Sequence, residues 1–248
     1  EICACLVGSE MCIRDSDGTV WLLTENDGAI RVVTLPEKNY TTKPEIYSTK
    51  SGLFPADHFY QVYQDRAGNN WLLTDNGLGM IRPGERQPVN YFVETQGKQD
   101  GMNQAFYAVR ECEDDICFTS DRGRIWCYQK KSGEFRLHEL PTKARITSIH
   151  AVGNDNTVVT TDSDGFFLSN LKTNKHIHYS PVTCKELSDQ PILSAYVDRT
   201  SEVWFEQEEP GVVVHFNPAT GVVKREQMRV EYSLSLIHIS EPTRHAQI

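Results

Sequence analysis

The sequence predicts an all-β protein of about five consecutive four-stranded antiparallel sheets. Three observations carry this: a unit that recurs at blade-sized intervals, short strand-like runs parted by turn residues within each unit, and no convincing amphipathic helix of a dozen residues in the 248. Asp17 to Gly28 reads DGTVWLLTENDG and Asp65 to Gly77 reads DRAGNNWLLTDNG. Weaker copies are ICFT (Ile116 to Thr119) before Gly123, VVTT (Val158 to Thr161) before Gly165, and WFEQ (Trp204 to Gln207) before Gly211. The markers Thr24, Thr74, Thr119, Thr161 and Gln207 are spaced by 50, 45, 42 and 46 residues.

Within the second unit, aromatic and branched residues place strands at Gln61 to Gln64, Trp71 to Thr74, Leu78 to Arg82 and Tyr91 to Glu94. The third unit repeats this at Tyr107 to Arg110, Ile116 to Thr119, Arg124 to Tyr128 and Phe135 to Leu140, with EDD, SDRG and KKSG as turns. A sheet of this size cannot bury both faces alone. Copies therefore pack radially as propeller blades, an arrangement that also limits exposed edges. The expected fold is a β-propeller fragment truncated at both ends.

Composition sets outer bounds. The chain is 39% hydrophobic and 24% charged, which fits a folded domain. A net charge of -9 offers no footprint for phosphate backbones, and no run of 18 apolar residues is present.

The ends read as foreign sequence. Leu6 to Ser16 (LVGSEMCIRDS) and Leu234 to Arg244 (LSLIHISEPTR) can be encoded by one DNA string read on opposite strands, and that string resembles a transposon adapter of sequencing libraries. Residues 1–16 and 234–248 are therefore expected to be adapter-derived, and 17–233 the natural partial propeller. This withholds a role from Cys3, Cys5, Cys12 and His238.

In D-x-x-G-x-x-W, the Asp suits turn amides, the Gly a positive φ and the Trp the gap between blades. Asp17, Gly18, Trp21, Thr24, Asp65, Gly68, Trp71, Thr74, Gly77 and Trp204 are thus expected to be structural, with Trp21, Trp71 and Trp204 buried. Replacement of the Trp by Ile116 and Val158 keeps hydrophobicity without a ring to stack on a sugar.

The string Asp65 to Leu78 resembles the two-component regulator propeller repeat, roughly D-x-x-G-x-x-W-[IL]-G-T-x-x-G-L, with Leu23 and Leu73 in place of its usual glycine. The last unit keeps Asp198, Trp204 and Gly211. The resemblance implies the extracytoplasmic sensor region of a bacterial hybrid two-component histidine kinase. It further implies a periplasmic location within an inner-membrane protein, a polysaccharide-derived signal, and no catalysis in these residues. The partners so implied are an oligosaccharide or other small signal, together with further blades, an immunoglobulin-like module and the kinase of the same chain. A homodimer is a further option, and nucleic acid is not expected.

Other chemistry finds little support. A sialidase-like glycan-cleaving propeller shares an Asp and a Gly before a Trp, but no pattern picks out the carboxylate pair or arginine cluster it needs. A scaffold binding only protein is the other alternative. Cys117 and Cys127 face each other across the SDRG turn if the hairpin forms; a disulfide and two small buried side chains are both compatible, the second being the expectation. The spacing of Cys112, Cys117 and Cys127 lacks zinc knuckles, so no metal or other cofactor is expected. His176 and His178 alternate along K-H-I-H-Y and share a face. The expected ligand positions lie in the loops entering each blade: Asp57 and His58, Asn103 and Gln104, Lys143 and Arg145, Asp189 and Gln190.

Overall fold

This computed structural model describes residues 11–14, 19–24, 26–35, 40–41, 44–92, 104–112, 114–153, 155–207, 209 and 211–227. Those residues form antiparallel sheets and no helix, and the sheets follow chain order. The first contains β1 (Met11–Arg14), β2 (Thr19–Leu23), β3 (Ala29–Leu35), β4 (Tyr40–Thr41) and β5 (Glu45–Tyr47). The second contains β6 (Phe59–Gln64), β7 (Asn70–Thr74), β8 (Gly77–Ile81) and β9 (Val89–Tyr91). The third contains β10 (Phe106–Glu111), β11 (Asp115–Ser120), β12 (Arg124–Gln129) and β13 (Phe135–Glu139). The fourth contains β14 (Ile146–Ala151), β15 (Asn156–Thr161), β16 (Phe166–Asn170) and β17 (Lys175–Tyr179). The fifth contains β18 (Ile192–Val197), β19 (Val203–Gln207), β20 (Val212–Asn217) and β21 (Val222–Gln227).

Each sheet is a meander of consecutive strands, the architecture of propeller blades. The markers are equivalent: Thr74, Thr119, Thr161 and Gln207 lie toward the ends of second strands, and Thr24 directly follows β2. The first blade differs in detail. Its outer position is shared by β4, opposite Thr34 and Leu35, and β5, opposite Ala29 to Arg31, giving five strands where four are expected. Met11–Arg14, within the stretch read as adapter, occupies the innermost position and pairs with Val20 to Leu23. Strand pairing runs through the backbone, so this register sets few demands on residue identity. Asp17 and Gly18 lie outside the described residues.

The chain divides into two compact units, 1–111 and 112–248. In the first, Trp21, Leu23 and Tyr47 of the first blade pack with Phe54, Phe59, Val62 and Leu72 of the second. In the second, Val158, Phe166 and Leu168 of the fourth blade pack with Ile192, Phe205, Val214 and Phe216 of the fifth. In the second blade the second and third strands, NWLLT of β7 and GLGMI of β8, are wholly buried, because both their faces meet neighbours. Outer strands such as KHIHY of β17 face water.

Two sequence expectations need correction. Trp21 and Trp71 are fully buried, but Trp204 is only half-buried, stacked on His215 with centroids 4.6 Å apart. Its neighbour is an amphipathic ring, held between Glu202 (3.3 Å) and Glu226 (3.2 Å). Cys117 and Cys127, expected as separate buried side chains, form a disulfide, because the β11–β12 register sets them directly opposite with Cα atoms 4.0 Å apart. Cys112 and Cys184 are free thiols.

Candidate functional site

The end of each blade carrying the entering loop also carries the hairpin between its second and third strands, and backbone hydrogen bonds tie the two. The amide of Asp75 donates to the carbonyl of His58 (3.3 Å), and that of Asp162 to Arg145 (3.1 Å), joining hairpin to loop within one blade. The hairpin glycine donates to the loop entering the next blade, as in Gly28 to Asp57 (3.0 Å), Gly77 to Gln104 (2.9 Å) and Gly123 to Ala144 (3.0 Å). The loops at Asp57–His58 and Ala144–Arg145 are thereby each held from two sides. The glycine is required: Gly28 and Gly165 have φ of +90° and +66°, and a Cβ at either would lie 2.1 Å from the carbonyl oxygen of Tyr47 or Tyr179.

The marker threonines tighten the same hairpins. Thr24, Thr74 and Thr161 each donate the hydroxyl to the carbonyl of Gly28, Gly77 or Gly165, at 2.8, 2.9 and 2.8 Å. Gln207 reaches elsewhere, donating its amide to the carbonyls of Ser188 (3.4 Å) and Gln190 (3.0 Å). These hydroxyls are committed to the backbone, which leaves no nucleophile–base pair among them.

The loop residues predicted from sequence fall into two groups, in the two units. In the first unit, the Asp57 carboxylate accepts from the amide (2.9 Å) and hydroxyl (2.5 Å) of Thr49. His58 packs edge-on against Tyr60 at 4.6 Å, and Gln104 flanks the hairpin at Gly77. Asn103 lies outside the described residues. In the second unit, Lys143 is exposed, while Arg145 pairs with Asp162 at 3.5 Å. Asp189 accepts from the Gln190 side chain at 3.2 Å. Asp57, Arg145 and Gln190 thus have structural partners within the fold.

Sequence reasoning placed innermost strands at Gln61 to Gln64 and Tyr107 to Arg110, within the observed β6 and β10, but missed the first residues of these strands. A β-bulge falls at one equivalent point in three innermost strands, between Phe59 and Gln61, Ile146 and Ser148, and Ile192 and Ser194. The extra residues are Tyr60, Thr147 and Leu193, and Tyr107 takes the corresponding place after buried Phe106. Bulges interrupt alternation and re-aim side chains, here leaving Tyr60 and Thr147 half-buried and Leu193 exposed; Tyr107 is half-buried as well. The Tyr60 and Tyr107 rings meet at 4.8 Å, tilted by 56°. Aligning F-Y-Q-V, F-Y-A-V, I-T-S-I and I-L-S-A at the strand starts is the signal that finds these positions.

At the opposite ends of the blades lie the D-x-x-G-x-x-W turns. Asp65 accepts from the amides of Ala67 and Asn69 and, through Oδ2, from Trp71 Nε1, all at 2.9 Å. Asp198 repeats this with the amides of Thr200 (2.8 Å) and Glu202 (3.0 Å) and with Trp204 Nε1 (2.9 Å). Against desolvation, which raises it, the bonds from Trp204 and Thr200 hold the Asp198 carboxyl below the usual carboxylate range. Among the described residues no group of three His, Cys, Asp or Glu side chains is arranged to hold a metal ion.

This architecture has known counterparts. The chain superposes on the extracellular domain of BT4673 from B. thetaiotaomicron, classed as a one-component system, with a TM-score of 0.67 and 18% identity, covering 88% of this chain and 31% of that one. The extracellular domain of BT3049 from the same organism, classed as a hybrid two-component system, gives 0.61 and 13%, covering 86% and 29%. Virginiamycin B lyase from Staphylococcus aureus gives 0.65 and 15%, covering 89% and 70%. These likenesses define the fold as a β-propeller, and the chain spans about a third of the length of BT4673 that was compared. No family model matches the sequence, and no curated protein matches it.

Proposed function

We propose that this chain is the non-catalytic propeller of an extracytoplasmic sensor in a hybrid two-component system, which binds a polysaccharide-derived ligand and passes its occupancy to a kinase outside these residues. The observation that carries the reading is the coincidence of two features. The D-x-x-G-x-x-W turns resemble the regulator propeller repeat, and the blades superpose on extracellular domains described as belonging to hybrid two-component systems. The Cys117–Cys127 disulfide supports an oxidising, periplasmic setting.

A second reading, a propeller enzyme, is favoured by the likeness to virginiamycin B lyase. The committed threonines and the absence of a metal-binding group among the described residues give it no further support here. The test incubates the chain with neutral and uronate-containing oligosaccharides and follows both binding and product formation. Binding without turnover supports the sensor. Turnover abolished by one carboxylate substitution overturns it.

A further inference from the structure

We infer that Tyr60 and Tyr107, with His58, form the sugar-stacking platform of this protein, an inference that rests on the ligand reading above. The three rings form one chain of contacts, His58 to Tyr60 at 4.6 Å and Tyr60 to Tyr107 at 4.8 Å. Each stays half-buried, whereas the residues beside the tyrosines in sequence, Phe59 and Phe106, are fully taken up by the core. Tyr60 is the extra residue of a bulge, the device that turns a strand side chain out of its regular alternation.

The platform is also rigidly mounted. His58 and Gln104 accept backbone bonds from the two ends of one short hairpin, Asp75 and Gly77. The backbone at His58 and at Gln104, just before the tyrosine strands, is therefore held before any ligand arrives, which lowers the ordering cost of binding.

The surrounding chemistry selects the ligand class. Tyrosine provides a flat apolar face and a hydroxyl at low conformational cost, which suits a ring with C–H groups on one face and hydroxyls at its rim. Nearby polar groups include the neutral amides of Gln104 and Asn76, the latter fixed by its bond to the Pro55 carbonyl at 2.7 Å. The nearby Asp57 carboxylate is already taken by Thr49. A pyranose ring of an oligosaccharide fits this set. The equivalent bulge residues of the second unit, Thr147 and Leu193, carry no ring, so stacking is assigned to the first unit alone.

The test measures affinity of the full chain by calorimetry for neutral gluco-, xylo- and manno-oligosaccharides and uronate-containing oligosaccharides of two to six sugars. It compares the parent with Tyr60→Leu, Tyr107→Leu, Tyr60→Phe and, as a control at an exposed position, Val182→Ala. Leucine keeps apolar bulk and removes the flat face, and thermal unfolding checks that each variant folds. Loss of about tenfold in affinity for either leucine variant, with Tyr60→Phe and Val182→Ala near the parent, supports the platform. Unchanged affinity in folded leucine variants overturns the platform while leaving the ligand reading intact. A parent that binds no oligosaccharide overturns the ligand reading itself, and the platform with it.

Discussion

Asp65 and Trp71 lie six residues apart and are joined by a hydrogen bond from the indole N–H to a carboxylate that also closes the turn. A buried indole needs an acceptor, and a buried carboxylate needs donors, so each residue satisfies the other. Asp198 and Trp204 repeat the bond at the half-buried fifth-blade position. Ile116 and Val158 take the Trp position in the third and fourth blades and need no acceptor, and neither turn contains D-x-x-G. Changing Trp71 to Ala is expected to cost about 3–5 kcal/mol in chemical denaturation, as for other large core aromatics. Asp65→Ala should cost about 1–3 kcal/mol by stranding the indole N–H, and much less in a Trp71→Phe background, where the donor is gone. A double-mutant cycle showing no coupling between the two positions would refute the clamp.

Second strands were the most legible elements from sequence, because W-L-L-T and its copies combine apolar runs with a turn glycine, and β7, β11, β15 and β19 all fall on them. The outer strand of the third blade, Phe135–Glu139, falls on the expected Phe135 to Leu140, whereas in the second blade β9 is Val89–Tyr91 where Tyr91 to Glu94 is expected, Val93 and Glu94 lying outside the described residues; a water-facing strand shows little hydrophobic pattern. The entering loops were located, but their partners were not legible, because backbone bonds such as Gly77 to Gln104 leave no mark on side-chain choice. The bulges were hidden for the same reason. Two predictions belong at this scale. The disulfide joins β11 to β12 across a separation of 10 residues, so Cys117→Ser with Cys127→Ser should lower stability by about 2–3 kcal/mol on the chain-entropy model, read as a fall in unfolding midpoint. On β17, both ring nitrogens of His176 are buried without a hydrogen-bond partner, and burial holds its pKa below the usual histidine value. Burial, followed by the Arg136 charge, does the same for His138 on β13. Both stay neutral in the folded state more readily than in the unfolded chain. Their contribution is therefore intact above about pH 6.5 and is lost as pH falls through their depressed folded values. The unfolding midpoint should drop on acidification through this window, and His176→Phe should flatten that drop; an unchanged profile would show that His176 does not contribute.

For the whole molecule, repeated blades supply a frame and the sites on it supply function, so the fold alone leaves sensor and enzyme both open. The adapter reading concerns the same scale. The locus read from an unfragmented template should encode other residues before Asp17, in a run still able to pair with Val20 to Leu23, because the first sheet needs an innermost strand whatever its origin. Finding LVGSEMCIRDS in the genome would reverse that reading and reopen Cys12 as a native residue. The sensor reading makes a further demand on the gene. A propeller that reports ligand occupancy must be coupled to an output, so the reading frame containing these blades should continue into a membrane-spanning segment followed by kinase and receiver domains. Swapping the Tyr60→Leu change into that full-length protein should then blunt ligand-induced phosphorylation while leaving basal autophosphorylation unchanged. A stop codon soon after the last blade, or a kinase whose response to the same oligosaccharide ignores every change in the propeller, would show that the blades serve another purpose.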